Sequence, residues 1–273
     1  MNFLVLLLVL WVEKFSAGRL RIQQDGPWLQ WLTASSGRSP WFTLALAVLL
    51  PVALLGLLVL ALEPLAYGWL LLPVHLLVLV YSLGRGDLLA DLGPFRDAWR
   101  RGDEQAALHV AERDLGLEAD AEAELLERVR AYELWQAYQG FFAVIFWYAL
   151  LGPLPALAYR LLALTAERAT DTAVAERAAQ LRHAMDWLPV RVLAASFALV
   201  GNFSAVSHAV LHDLLAWDIP AAQLVARAGV TAAELGEAQP GEPGVASLDE
   251  LWQLLIRAAV LWYAAFAVWI LLL

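Results

Sequence analysis

The chain has 273 residues, 61% of them hydrophobic and only 16% charged, against roughly 25% charged in an average soluble domain, and its mean hydropathy of +0.62 marks a membrane protein. A net charge of −9 excludes nucleic acid as a partner and a polybasic lipid-binding surface. Without cysteine there is no disulfide framework, thiolate nucleophile or cysteine metal site.

The opening "MNFLVLLLVLW" is short and runs straight into Glu13 and Lys14. It lacks the basic start and small-residue cleavage site of a signal peptide, so it is expected to remain as an anchor or tilted span. "WFTLALAVLLPVALLGLLVLAL" (Trp41 to Leu62) and "PLAYGWLLLPVHLLVLVYSLG" (Pro64 to Gly84) follow, both free of formal charge. Each passes the roughly 20 residues that cross a bilayer, and together they predict a hairpin of spans.

Most of the polar sequence lies in one block, Arg85 to Tyr138, whose arginines place it in the cytoplasm, as do Lys14, Arg19, Arg21 and Arg38 for the first loop. Apolar positions Phe95, Trp99, Ala106 and Val110, then Leu125, Val129, Tyr132 and Leu134, recur at helical spacing among the charges. Beyond it, Gly140 to Leu164 is long enough to cross but is interrupted by "LGPLPALAYR", which predicts a kinked or re-entrant helix pair. The basic stretch Arg160 to Arg182 is consistent with a segment that dips in and returns, whereas Leu211 to Pro243 carries one arginine, Arg227, beside several acids. The topology past residue 140 stays open at this stage. "LWQLLIRAAVLWYAAFAVWILLL" closes the chain as a final span, with Arg257 placed to snorkel to the interface.

No strand alternation and no fixed-period repeat interrupt this pattern. The expected fold is therefore all-α, a polytopic helical integral membrane protein with a cytoplasmic helical extension. It divides into an N-terminal anchor and hairpin (1–84), a cytoplasmic helical region (85–138) and a C-terminal membrane region (139–273).

Chemistry-bearing motifs are few. "GRGDLLADLG" (Gly84 to Gly93) lacks the lysine and hydroxyl of a P-loop and follows a helix, so turn chemistry explains it. His208 and His212 stand four apart, but Ala209 occupies the place where a zinc protease carries glutamate, and interfacial hydrogen bonding is the expectation. His75 reads as a helix-to-helix hydrogen bonder, and no serine stands in a nucleophile elbow. These readings lead to no catalytic residue, no metal and no cofactor.

The sharper question lies in "MDWLPVRVLAASFALVGNF", Met185 to Phe203, where a charge at bilayer depth costs at least about 2.5 kcal/mol. Asp186 suits an N-cap, Pro189 a first turn, and Arg191 follows near the same surface. Ala194, Ala198, Gly201 and Ala205 form a small-residue stripe that lets another helix approach, which turns Arg191 toward protein. Asp186, Glu167, Asp171 and Glu13 are its candidate partners, with a polar ligand pocket as the other outcome.

The residues "FLVLLLVLWVEKF", "LVYSLGRGD" and "DWLPVRVLAASFALVGN" together resemble the AmpE family, inner-membrane proteins of the β-lactamase induction locus, over nearly the whole chain. A more distant likeness is to CbiB, also called CobD, the membrane enzyme that joins aminopropanol phosphate to adenosylcobyric acid. "AVIFWYALLGPLPALAYR" (Ala143 to Arg160) is similar to its "APLFWALLGGAPGALAYR", and "DWLPVR" to its "NWIPAR". Where that enzyme carries "ENTxDG" and "NTLD", this chain has "WQAYQG" and "ALTA", so the acids able to hold Mg²⁺ and phosphates are replaced by neutral side chains.

The AmpE resemblance implies a multi-pass protein of the bacterial inner membrane that modulates or senses a signal linked to β-lactamase induction and cell-wall recycling. The expected activity is binding of a small anionic ligand, a cell-wall fragment or nucleotide, without catalysis. Its candidate ligand-binding residues are Tyr159, Arg160, Asp186, Trp187, Arg191 and Glu133. The alternative is a membrane enzyme with a CbiB-like ligase scaffold and altered chemistry, using Glu133, Asp186 and Glu167. Besides the lipid bilayer, a membrane protein partner on the small-residue stripe is a third possibility.

Overall fold

The computed structural model describes residues 4–9, 22–35, 37–83, 88–118 and 122–272. Among them the regular structure is helical and no strand occurs. The chain forms two compact units: Met1–Arg85, Gln139–Pro189 and Trp269–Leu273 make the first, Gly86–Tyr138 and Val190–Val268 the second.

In the first unit, residues 4–9 are helical with Val5, Leu6 and Val9 buried. Helix α1 (Gly26–Ala34) leads to α2 (Pro40–Leu62), which Ser39 caps by accepting from the Phe42 N–H. A π turn over Ala45–Leu49 interrupts the α2 ladder, and such turns leave carbonyls short of their ordinary donors. The indoles of Trp28 and Trp31 supply them, donating to Ala47 and Leu46 at 3.2 and 3.3 Å. Leu49, Leu54, Leu57 and Leu60 on α2 are largely exposed, as a bilayer-facing surface requires.

The second apolar stretch departs from expectation. Pro64 to Gly84 is divided into a 3-10 turn, Leu65–Gly68, and a helix α3 of only 12 residues, Leu71–Ser82. At 1.5 Å per residue α3 is about 18 Å long, short of the hydrocarbon thickness, so this stretch is not one continuous spanning helix. Gly68, at φ 78°, supplies the left-handed residue at the break.

Among the described residues three helices are long and apolar enough to cross a membrane: Pro40–Leu62, Glu124–Leu151 and Glu242–Trp269. The second of these means that the polar block and the following apolar segment share a helix. In α6, Glu122–Ala137, a π turn Tyr138–Phe142 and Ala143–Leu151 run on without interruption. The break expected at "LGP" is present: α6 ends at Leu151, Gly152 sits at φ 84°, and Pro153 opens α7 (Pro153–Arg168). The last part of α6 and α7 pack on one another, as a helix pair that turns back must.

Helix α8 (Thr172–Val200) corrects a second expectation, since no helix starts at Asp186. "TAVAERAAQLRHAM" is built of good helix formers, and Asp171 receives the Ala173 N–H at 2.9 Å, performing the capping expected of Asp186. Pro189 lies inside the helix, at the boundary between the two units.

In the second unit, α4 (Leu88–Arg100) and α5 (Glu104–Val110) pack with the start of α6 around Leu92, Phe95, Trp99, Ala107, Leu126 and Val129. Val245 and Leu248 of α11 (Glu242–Leu272) join the same core. Trp99 donates to the Gln239 carbonyl at 3.2 Å, and a Cβ on Gly244 would lie 2.1 Å from the same indole nitrogen, so only glycine fits there. Helices α9 (Phe203–Val210) and α10 (Ala221–Ala232) pack together, and α10 lies along α6, where Gly229 admits Leu134.

Candidate functional site

Four residues of the candidate set fall in the first unit. Tyr159 on α7 is fully buried and donates to Asp186 Oδ1 at 2.8 Å, and Asp186 is 2% exposed. Arg182, one turn earlier on α8, approaches the other carboxylate oxygen of Asp186 at 3.9 Å and Glu167 at 3.4 Å. This network accounts for the aspartate that the sequence places in an apolar setting: an ionised group taken from water needs donors and a counter-charge. Trp187 follows it, half-buried.

Arg160, next to Tyr159 on α7, takes a different partner. Its Nη2 lies 3.4 Å from Asp25 Oδ2, both side chains being largely buried. Its Nε is buried and has no hydrogen-bond partner among the described residues. A buried donor left unmade costs about 1–3 kcal/mol, so this nitrogen is a place where an acceptor would be favoured. Asp25 stands in a loop before α1 and carried no motif, so sequence reasoning missed it; only the fold brings it to Arg160.

The remaining two residues of the candidate set belong to the second unit. Arg191 is half-buried and donates through Nε to the Leu214 carbonyl and through Nη2 to the Ala216 carbonyl at 2.6 Å. Leu214 and Ala216 lie in the non-helical stretch between α9 and α10, where backbone acceptors lack ladder partners. Arg191 is thus turned toward protein, as expected, and backbone carbonyl oxygens are among its partners. Of the acids named for it, Asp186 receives Tyr159, Glu167 faces Arg182 and Asp171 caps α8, while Glu13 lies outside the described residues. Glu133 on α6 is fully buried, and neither carboxyl oxygen has a hydrogen-bond partner among the described residues.

The small-residue stripe is used within the second unit. Ala194 and Ala198 are buried, and a Cβ on Gly201 would lie 2.5 Å from the Ala232 carbonyl oxygen. Ser196 beside them accepts from the Trp262 indole at 2.8 Å. His75 is buried in α3 and bonds Tyr148 at 3.0 Å, a helix-to-helix contact of the kind its lone position suggested. Among the described residues no three His, Asp or Glu side chains stand where they could hold a metal ion.

Helices with exposed leucines outside and polar pairs closed on one another within define a helical membrane protein, with cationic side chains held at fixed positions. A family model described as "Regulatory signalling modulator protein AmpE" matches residues 1–228, and the chain belongs to the AmpE family. It is accordingly a regulatory signalling modulator by family. No curated protein and no solved structure matches the chain.

Proposed function

We propose that this protein is an inner-membrane modulator linked to β-lactamase induction and cell-wall recycling, and that it senses a small anionic ligand, a cell-wall fragment or nucleotide, without transforming it. The observation that carries the reading is the unpartnered, buried Nε of Arg160, whose guanidinium has only a 3.4 Å contact to Asp25. A phosphate or carboxylate offers that fork the bidentate acceptor it lacks. Tyr159 and Asp186 hold the neighbouring turn of α7 in place, and Trp187 adds an aromatic surface. Arg191 supports the fold of the second unit by closing open carbonyls, with an anion-binding role left to experiment.

Titration of the purified protein with UDP and with a muramyl tripeptide tests the proposal. Wild type is expected to bind one of them, and Arg160→Gln to bind it roughly tenfold more weakly, as the loss of a charge-assisted pair implies. Equal binding by both forms would remove the site.

One observation favours a second reading, an enzyme of altered chemistry on the CbiB-like scaffold. Glu133 is a fully buried carboxyl with both oxygens unpartnered, and groups kept in that state cluster at functional sites. Mg²⁺-dependent turnover of ATP that Glu133→Gln abolishes would support it; turnover unchanged by that substitution would exclude Glu133 as its acid.

A further inference from the structure

The second unit carries an open groove of about 900 Å³ that none of the candidate residues lines. Its walls are the junction of α8 and α9 at Gly201 to Ser204, the end of α10 at Ala232 to Glu234, and one face of α11. The first two walls are joined tightly. The Asn202 N–H donates to the Ala232 carbonyl at 3.1 Å, and Gly201 leaves no room there for a side chain.

Part of the polar lining is already engaged. Glu234 accepts from the Asn202 amide, and Asp249 pairs with Arg96. Two charges are not. Glu250 forms no hydrogen bond or ion pair among the described residues, with Arg130 near enough to influence it but itself bonded to Ser247 and Gly236. Arg257 spends only its Nε, on the Gln253 carbonyl at 3.3 Å. Both line the groove from α11, about two turns and 10 Å apart on the same face, with Gln253 between them.

Their order along the helix carries the chemistry. After Arg257 no charged residue occurs to the end of the chain, and Val260, Val268 and Trp269 are exposed. Arg257 is the last charge on α11, and its guanidinium snorkels outward to the interface, with Glu250 two turns further out in the headgroup layer. Phe203, at the groove, and Leu199, beside it, are 64% and 67% exposed, which continues the apolar surface around this end.

We propose that the groove binds a zwitterionic phospholipid headgroup in which a phosphate is followed outward by a primary ammonium. The phosphate would lie on Arg257 and the Gln253 amide, and the ammonium on Glu250. A lipid presents these charges in just that sequence, because its phosphate is tied to the acyl chains and its amine is the outer end. An anionic headgroup without an amine would meet the acids of the outer half and bind less well.

The test is native mass spectrometry of the full chain, purified and offered equal amounts of phosphatidylethanolamine and phosphatidylglycerol, with free phosphoethanolamine as a third arm. Wild type is expected to retain phosphatidylethanolamine roughly fivefold over phosphatidylglycerol, a preference typical of one favourable charge contact at a partly exposed site. Glu250→Gln should abolish the preference by lowering retention of phosphatidylethanolamine toward that of phosphatidylglycerol. Arg257→Gln should cut retention of both lipids, and Arg257→Lys should restore it. Equal retention of the two lipids by wild type, or a preference that survives Glu250→Gln, overturns the proposal. So does displacement of lipid by equimolar phosphoethanolamine, which would point to a soluble zwitterion as the occupant. Both side chains are exposed, so the variants should unfold at the wild-type temperature; if Arg257→Gln does not, Glu250→Gln decides alone.

Discussion

Asp186 and Arg191 belong to one helix, yet the two parts of α8 resolve their charges by different means. In the first unit Asp186 is enclosed by side chains, receiving the Tyr159 hydroxyl with Arg182 nearby. In the second, Arg191 closes the backbone, donating to carbonyls of a stretch that has no helical ladder of its own. The difference teaches that a charge in an apolar helix can be held by the backbone as well as by side chains. An acid requires donors, which in this interior come from other side chains, whereas an arginine finds acceptors wherever the backbone is irregular.

The comparison can be broken at several points. The largest effect is expected where neither side-chain arrangement can adapt: Gly244→Val would drive a side chain into Trp99 and the Gln239 carbonyl. It should destabilise the second unit by about 3 kcal/mol, seen as loss of folded protein in a thermal unfolding assay. Arg191→Ala comes next, leaving two carbonyls open at about 2 kcal/mol. Its signature is regional, faster amide exchange between Leu211 and Pro220 with α7 unaffected. Tyr159→Phe removes one donor from the buried Asp186 and should lower stability by about 1–2 kcal/mol, with faster exchange in α7 and the first half of α8. Trp28→Phe, which frees the Ala47 carbonyl in the π turn of α2, is worth about 1 kcal/mol. Arg100→Ala breaks an exposed pair with Glu242 and should change stability by less than about 0.5 kcal/mol.

Hydropathy and helical spacing made the fold class legible, together with the α2 span, the last span and the break at "LGP", because burial in lipid is a property of local composition. What it concealed depended on single backbone events. Gly68 cuts an apolar run of sufficient length into a turn and a short helix, and the formers ahead of Asp186 carry α8 through Pro189. Of the candidate site, Tyr159 and Asp186 were each named from the sequence but not as partners, while the inward turn of Arg191 was approachable from the small-residue stripe. Asp25 and the carbonyls of Leu214 and Ala216 were not, since a loop aspartate and an unladdered backbone have no sequence signature. Arg257 was legible as a snorkelling charge, but the α11 groove lies past the AmpE match, which ends at residue 228, and only the fold brings its walls together.

The proposed division of labour between Arg160 and Arg191 is measured by UDP titration of the two glutamine variants. Arg160→Gln should lose UDP affinity roughly tenfold with the Leu211 to Pro220 exchange rates unchanged, while Arg191→Gln should keep the affinity and loosen that stretch. Undiminished binding in Arg160→Gln, or affinity lost in Arg191→Gln with its exchange rates intact, would contradict it.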